Sequence, residues 1–391
     1  MRLFLLSLIG SLTLIQQSYA AELPTDASQK AKPATIKVLI TKLADEATVE
    51  VKGKYRAYNP QNQLLIGSGS NKWDRFMATA SCLKWGSEPF PGSTEIRLVP
   101  APDSSLLVNN VPYKGCLEIY AIAGTINIVN EVDVENYLKD TLAAKCDESL
   151  NSEVLDALVI VERTHLTYLA NKASYAHWHV AADKAGYTGH TAQQKAAISD
   201  AVERTRGMVL TYNNQLFPAT WSRNSAGRTV SYASIFRKNV DSPAGVSKLP
   251  VSDDREETKW SASMPKQMLA ELVGFSEIDQ IDLYKADQSN KVYALRLSDG
   301  ISSKDLDFFR LQEAIGPKII RSNDFSVKVE DDSVLFTGYG DGAGTGLCLA
   351  SADRLAKSQE DARKILLIHF PGVQLTKLRA GQDEASAYIW K

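Results

Sequence analysis

The residues best suited to chemistry lie between positions 129 and 164. Carboxylates stand on both sides of the pair Tyr137-Leu138, and the stretch ends in Arg163-Thr164. Among these carboxylates are Glu131, Asp133, Glu135, Asp147 and Glu148. A positioned carboxyl group can protonate a leaving oxygen and later accept a proton if its pKa is raised toward the working pH. The segment therefore has the layout of a catalytic signature.

Two helices are predicted to position this region. Apolar residues recur from Val154 to Leu169 at the spacing of one buried face, which predicts a helix over residues 152–172 that is opened by Asn151-Ser152-Glu153. A second helix is predicted over residues 191–206, with Thr191 and Gln194 as its capping box and Gly207 at its end.

Further motifs resemble those of the SpoIID/LytB family, the stage II sporulation protein D and amidase-enhancer proteins. These motifs occur in the family's order and spacing. Together with residues 129–164, they give a resemblance that covers roughly residues 36–372. Their shared order argues against chance agreement. The motifs are Tyr187-x-Gly189, Thr205-x-Gly207-x-Val209-Leu210, Ser225-Ala226-Gly227-Arg228-Thr229, the glycine-rich run from Gly340 to Gly346, and Phe370-Pro371-Gly372.

The resemblance implies a protein that acts on bacterial peptidoglycan. The family's enzymes are similar to lytic transglycosylases, which cut between N-acetylmuramic acid and N-acetylglucosamine. The sugar's own hydroxyl attacks, so one carboxyl group can serve as acid and then base. In those enzymes a glutamate stands eight residues after the tyrosine, and here that position is Lys145. An ammonium is a poor proton acceptor, and a neutral lysine would require strong desolvation.

Asp147 and Glu148 are the candidate replacements for the missing acid. They lie two and three residues beyond Lys145, so a loop with a different kink could bring Glu148 into the cleft. The alternative interpretation is that both are acids of a first helical turn, where the helix dipole favours negative charge.

The resemblance also implies a set of substrate-binding residues. Ser225, Gly227, Arg228 and Thr229 would line the cleft, and their hydroxyls and guanidinium would bind acetamido or lactyl groups of the sugar. Arg163 and Tyr187 would add a carboxylate contact and a stacking surface, together with Trp221. The alternatives are that Arg163 pairs with a neighbouring acid and that Trp221 belongs to the core.

The glycine-rich run departs from the family pattern. The usual signature is Gly-His-Gly-x-Gly-x-Ser-Gln, whereas this chain has Ala343 in place of the histidine and Leu349 in place of the glutamine. Retained glycines are explained by backbone shape, which requires no side chain. The losses indicate an altered site on an unaltered fold.

A metal site is the weaker interpretation of the histidines. His177-x-His179, with Asp183 and His190, could supply ligands, as some family members bind zinc in this region through Cys and His. Here Lys184 stands at the position of the expected cysteine. We therefore expect no metal and no cofactor.

The chain begins with the pattern of a secretory signal peptide. Met1-Arg2 is followed by an apolar run to Ile15, and Ser18-Tyr19-Ala20 suits a signal peptidase. We predict cleavage after Ala20, export to the periplasm or cell envelope, and no membrane association afterwards. An uncleaved anchor is the alternative, but the run is shorter than the roughly 20 residues that span a bilayer.

Net charge and cysteine content indicate which partners and stabilising features the protein is expected to have. A formal net charge of −2 argues against a nucleic-acid partner. The four cysteines show no C-x-x-C spacing, which argues against structural zinc. Export permits a Cys82–Cys116 disulfide, and burial of all four as small apolar residues is the alternative.

The order of predicted elements indicates an α+β fold. A signal peptide (1–20) and a flexible leader (21–34) precede a β-rich region (35–128), a helix-containing SpoIID-like core (129–375) and a tail (376–391). We predict an exported protein that remodels peptidoglycan glycan strands, as lytic transglycosylases do. The alternative is a non-catalytic strand binder that regulates or localises a cell-wall amidase.

Overall fold

The computed structural model describes residues 34–79, 81–146, 149–174, 176–190, 195–250, 255–287 and 289–378. The predicted signal peptide, the leader up to residue 33 and the tail beyond residue 378 lie outside the described residues. So do Asp147 and Glu148, the two candidate catalytic acids, and the capping pair Thr191 and Gln194.

A large, mainly antiparallel sheet forms the N-terminal part. Within the described residues it has eleven strands in the order β11-β1-β10-β9-β6-β2-β3-β4-β5, with β7 bound to β2 and β8 bound to β7. Only its β1–β11 pair is parallel. The strands are β1 Thr35–Ala44, β2 Glu46–Tyr58, β3 Leu64–Ala78, β4 Cys82–Trp85, β5 Glu88–Pro91, β6 Glu95–Pro100, β7 Ser105–Val108, β8 Val111–Tyr113, β9 Cys116–Ile122, β10 Thr125–Asp133 and β11 Val180–Ala181.

Alternating side chains explain why these segments form strands. In β2, β-branched and aromatic residues such as Val49 and Tyr55 point inward and pack against Trp85 of β4. The strands predicted at 47–51, 95–99, 117–122 and 125–129 lie within β2, β6, β9 and β10. The predicted hairpin turn is confirmed, since Ala123 and Gly124 both have positive φ.

The helices that follow contain the family-like motifs of the middle segment. The predicted helix over 152–172 is confirmed as α2, and the second predicted helix is described from residue 196 onward as α4. Tyr137-Leu138 lies in α1, a helix that the sequence analysis does not predict, and its N-cap Asp133 accepts hydrogen bonds from the first-turn amides. The elements are α1 Val134–Lys145, α2 Ser152–Lys172, α3 Ala182–Ala185, α4 Ala196–Arg204, β12 Met208–Thr211, β13 Trp221–Ser222 and α5 Tyr232–Phe236.

The C-terminal part has its own apolar core, and two helices near its end follow the small sheets. Its small sheets are β14-β19-β18 and β15-β16-β17. The elements are a 3-10 turn Arg255–Thr258, β14 Lys259–Pro265, α6 Lys266–Val273, β15 Gln280–Lys285, β16 Val292–Ser298, β17 Ser303–Asp307, α7 Phe308–Ile315, β18 Asp324–Val329, β19 Ser333–Tyr339, β20 Leu347–Cys348, α8 Leu349–Lys357, α9 Ala362–His369 and β21 Gln374–Lys377.

One apolar core joins the beginning, middle and end of the chain. It combines Ile36 of β1 and Leu138 of α1 with Leu158 of α2 and Leu366 of α9. Strand β21 pairs with β12, so the last described strand closes on the middle segment. The large sheet followed by packed helices and small sheets confirms the α+β prediction.

The cysteines are buried or half-buried thiols rather than bridges. Cys82, Cys116, Cys146 and Cys348 are all free, so the predicted Cys82–Cys116 disulfide is not formed. Desolvation raises the pKa of the Cys116 thiol well above its ordinary value. Among the described residues no helix has the length and apolar character needed to span a membrane.

His369 should make stability depend on pH below neutrality. Its side chain is buried in α9 with Nδ1 2.8 Å from the Ile365 carbonyl, and burial lowers its pKa below 6.5. The folded state therefore holds it neutral, while the unfolded chain takes up a proton as the pH falls through 6.5, so this stability is present above that pH and lost below it. We expect His369→Gln to lose less stability than the wild type between pH 7.5 and pH 5 in urea unfolding. Equal losses would contradict this assignment.

Candidate functional site

Helix α2 connects the catalytic-like segment to the rest of the molecule. Asn151 caps it by accepting from the Glu153 amide, and most of its apolar side chains enter the central core. Thr164 accepts from the Leu210 amide at 2.9 Å and so fixes β12 against the helix. Glu162 and His165, by contrast, are only partly buried and face a cleft.

This cleft has a volume of about 370 Å³ and lies between α1, α2, β11, α3 and β13. We call it the Lys145 cleft, because Lys145 at the end of α1 forms part of its wall. Its polar groups are a carboxylate, an imidazole and two ammonium groups beside two aromatic rings. The lining residues are Tyr137, Lys145, Glu162, His165, Leu166, Leu169, Val180, Ala181, Lys184, Ala185, Ala219, Thr220 and Trp221.

Glu162 is fixed in the cleft wall by an aromatic donor. Trp221 Nε1 donates to Glu162 Oε1 at 2.6 Å. The carboxylate also acts on its neighbours: burial, with a contribution from Glu162, raises the pKa of Tyr137, and the same two causes raise the pKa of the Cys146 thiol to about 11. Glu162 is therefore an oriented carboxyl group in the wall of the cleft.

His165 lies one helical turn after Glu162. Burial lowers the pKa of His165, Glu162 opposes this effect, and Lys145 adds to it. Its Nδ1 is buried and has no hydrogen-bond partner among the residues that the structure describes. Buried polar atoms are rarely left unpaired in native proteins, so this nitrogen is available to water or a bound molecule.

Lys145 occupies the cleft position implied by the resemblance. Its side chain is half-exposed and runs beside Gly186, where an added Cβ would come within 3.6 Å of the Lys145 Cε. Across the cleft, Lys184 is bound to the exposed carboxylate of Glu313. The position expected to hold the acid therefore faces the cleft and presents an ammonium group.

Arg163 has a structural position rather than a place in this cleft. Its guanidinium is 2% exposed and forms a two-pronged ion pair with Glu135, with nitrogen–oxygen distances of 2.7–3.1 Å. It also donates to Thr205 Oγ1 and to the Met208 carbonyl. The alternative given for Arg163, pairing with a neighbouring acid, is what the structure shows.

Tyr187 is buried and packs against Tyr137, which lines the cleft. It is 4% exposed, its hydroxyl donates to Asn130 Oδ1 at 2.8 Å, and its ring centroid lies 5.1 Å from that of Tyr137. A buried ring cannot offer a stacking face to a sugar, so Tyr187 acts on the cleft through Tyr137.

The loop around Ser225 is held away from the Lys145 cleft. Ser225 is fully buried, and its carbonyl accepts from Lys291 Nζ at 2.7 Å. Thr229 is buried and exchanges hydrogen bonds with Val246. Gly227 and the exposed Arg228 lie in the turn between them and contact residues 249 and 247. These four predicted residues thus form a separate loop that does not line the cleft, and of the predicted sugar-contacting side chains only Trp221 lines it.

The glycine-rich run positions Trp221. Gly344 donates its amide to Ser222 Oγ at 3.0 Å, and β20 pairs with β13. At Gly346, where φ is +68°, a Cβ would lie 2.0 Å from the Thr220 carbonyl oxygen. Close approach explains these glycines without any side-chain chemistry, in agreement with the sequence interpretation.

The histidines of the metal alternative do not converge. His177 lies edge-on to Tyr120, His179 Nδ1 accepts from the Lys37 amide, and His190 contacts Asp140. Within the described ranges, no group of three His, Cys, Asp or Glu side chains is close enough to hold a metal ion.

Sequence reasoning missed Glu162 and His165. Both belong to one helical stripe with Leu166 and Leu169, at positions i, i+3, i+4 and i+7. The sequence signal for these two residues was the occurrence of Glu162 on the same helical face as the apolar Leu166 and Leu169.

Comparison with known proteins connects this site to a family. Residues 123–212 match the family model described as "SpoIID: Stage II sporulation protein". An uncharacterized protein of Brachyspira hyodysenteriae is 23% identical over 91% of this chain and 96% of its own length. Stage II sporulation protein D of Bacillus subtilis is 25% identical over 64% of this chain and 77% of its own.

A second Bacillus subtilis protein, named amidase enhancer, is 23% identical over 45% of this chain and 32% of its own length. The matched residues 123–212 contain α1, α2, α4 and β12, and with them Tyr137, Lys145, Glu162 and His165 of the cleft. Over these residues the chain is therefore similar to the SpoIID/LytB family.

Proposed function

We propose that this protein binds the glycan strands of peptidoglycan in the Lys145 cleft and remodels them by a cut of the lytic-transglycosylase type. Its similarity to stage II sporulation protein D and to a protein named amidase enhancer supports a role related to the bacterial cell wall. The observation that carries the finer proposal is a cleft in the family-matched segment that still contains an oriented carboxylate, Glu162, although Lys145 occupies the expected position of the acid.

The chemistry of the cleft wall suits an amino sugar. Trp221 offers an apolar ring face to a pyranose ring, while its one N–H is donated to Glu162. Lys145 could attract the lactyl carboxylate of muramic acid. A volume of about 370 Å³ falls within the range of small-ligand sites, which is enough for a short stretch of a strand.

Export is part of the proposal. Peptidoglycan lies outside the inner membrane, and the first 20 residues have the pattern of a cleaved signal peptide. We therefore place the mature protein in the periplasm or cell envelope, where its partner is the glycan strand itself.

A non-catalytic strand binder that regulates or localises a cell-wall amidase is the second candidate. Two observations favour it: Lys145 replaces the family's glutamate, and part of the chain resembles a protein named amidase enhancer. Both candidates require strand binding, and they differ in whether a bond is cut.

The decisive experiment incubates the purified mature protein with denuded glycan strands. Mass spectrometry looks for 1,6-anhydromuramic ends, and co-sedimentation measures binding. Anhydro ends support the enzyme, whereas binding without them supports the amidase regulator. If strands neither bind nor break, both candidates are wrong.

Trp221→Ala should weaken strand binding by roughly 2–10-fold, because one aromatic contact contributes about 0.5–1.5 kcal/mol beyond area burial. Trp73→Ala is the matched control, since Trp73 is 62% exposed on β3 and does not line the cleft. Dissociation constants from co-sedimentation provide the measurement. Equal affinities for the two variants would place the strand elsewhere on the protein.

A further inference from the structure

We propose that Glu162 is the group that transfers the proton in this cut, so that the catalytic carboxylate lies on α2 instead of at the end of α1. This inference rests on the proposed function. Lytic transglycosylation requires one carboxyl group near the glycosidic oxygen, because the second nucleophile of ordinary glycosidases is replaced by the sugar's own hydroxyl. The question is therefore which carboxylate of this chain reaches the cleft.

Glu162 meets that requirement by position. Of the side chains that line the cleft in the described structure, it is the one that carries a carboxylate. It shares this wall with Lys145, and both groups act electrostatically on the same two neighbours, Cys146 and His165. The two side chains therefore line the same cleft, with the carboxylate on α2 and the ammonium at the end of α1.

Its orientation also fits. The hydrogen bond from Trp221 Nε1 occupies Oε1 at 2.6 Å, and no described residue donates to Oε2. One oxygen is thus fixed, and the other is left for the substrate. A carboxyl group held in this way loses little freedom when it transfers a proton, which is the advantage of a preorganised acid.

The step balances without any external reagent. Protonated Glu162 gives its proton to the glycosidic O4 of the N-acetylglucosamine unit as the bond from C1 of N-acetylmuramic acid to that oxygen breaks. The O6 hydroxyl of the same muramic unit then bonds to C1 and releases its proton to the Glu162 carboxylate. The products are a 1,6-anhydromuramic end and a free 4-hydroxyl, and the carboxyl group is regenerated.

The surrounding groups fit this assignment. His165 lies one turn further along α2 in the cleft wall, and its buried Nδ1 has no hydrogen-bond partner within the described structure. Lys184 is engaged with Glu313, which leaves Lys145 as the ammonium beside the reacting bond. Lys145 then serves to attract anionic groups of the strand rather than to transfer the proton.

The test is Glu162→Gln in the full mature protein. The amide oxygen can still accept from Trp221, so the fold and strand affinity should stay within about twofold of wild type. The rate at which anhydro ends form should fall by roughly 10²–10⁴-fold, the usual contribution of a general acid–base group. The control is Glu277→Gln, an exposed glutamate outside the cleft, which should keep the wild-type rate.

The outcomes separate this inference from the proposed function. Wild-type cutting that persists in Glu162→Gln overturns the role of Glu162 and leaves the enzyme standing. If cutting persists in Glu162→Gln and is lost in Glu148→Gln, the acid is Glu148. A wild type that binds strands and forms no anhydro ends overturns both the cut and the role of Glu162, and it supports the amidase regulator.

Discussion

Arg163→Met should lower the free energy of unfolding by about 3–5 kcal/mol, the loss expected when one partner of a buried ion pair is removed. In the wild type the guanidinium neutralises Glu135 and also binds Thr205 and the Met208 carbonyl. In the variant Glu135 remains 7% exposed and keeps the Gly207 amide as a donor. Urea unfolding followed by circular dichroism measures the difference.

Two comparisons make this prediction specific. The double variant Glu135→Gln/Arg163→Met should recover much of the loss, since no uncompensated charge is left in the core. Arg204→Met breaks the more exposed pair with Asp156 and should cost at most about 1 kcal/mol. A loss below 1 kcal/mol for Arg163→Met would refute the structural role.

The same variant tests whether Arg163 contacts substrate, as the family resemblance implied. Because its guanidinium faces away from the Lys145 cleft, Arg163→Met that is still folded should bind strands as the wild type does. Binding lost at a temperature where the variant remains folded would restore the sequence-based assignment.

Local pattern was sufficient to predict the long elements. Helix α2 matches its predicted range because its apolar periodicity and Asn151 cap act within the helix itself. Helix α1 was not predicted. It is short, acidic residues precede Tyr137, and its first turn depends on Asp133 as the N-cap. Strand β13 could not be predicted from local pattern, because it has only two residues and forms by pairing with β20, far along the chain.

The site was less predictable, because the exposed side of a helix depends on its neighbours. Arg163 and Glu162 are adjacent in sequence, yet α1, α4 and β12 cover the first while the second faces the cleft. Nothing in the sequence shows that the Lys291 ammonium reaches the Ser225 carbonyl, 66 positions away. The family motifs include the segment that contributes Tyr137, Lys145 and Glu162 to the cleft, but the three-dimensional packing determined which side chains face it.

Asp324→Asn should cost about 3–5 kcal/mol near neutral pH, because it leaves the Lys291 ammonium buried without its counter-charge. Lys291 is 1% exposed, and its Nζ lies 3.2 Å from Asp324 Oδ2 and 2.7 Å from the Ser225 carbonyl. Asp305→Asn is the control, since its pair with Arg296 is exposed and should contribute at most about 1 kcal/mol.

The loss should shrink as the pH rises. Burial lowers the pKa of Lys291 below its ordinary value of 10.5, and Asp324 opposes this shift. Without Asp324 the folded state releases the proton at a lower pH while the unfolded chain still binds it, so stability increases with pH up to about 10.5. Urea unfolding of Asp324→Asn at pH 7 and pH 9.5 should show a smaller deficit at the higher pH. A constant deficit would mean that Lys291 stays charged in the variant.

Replacing Lys291 as well removes the buried charge, so Asp324→Asn/Lys291→Met should regain part of the lost stability. It should not regain strand binding to the same extent. Lys291 ties the Ser225 carbonyl down, and its side chain packs where a Cβ on Gly344 would lie. Gly344 in turn binds Ser222, the neighbour of Trp221 in β13. A double variant that is stable but binds strands weakly would show that this buried lysine positions the aromatic wall of the cleft, whereas full recovery of both would limit its role to stability.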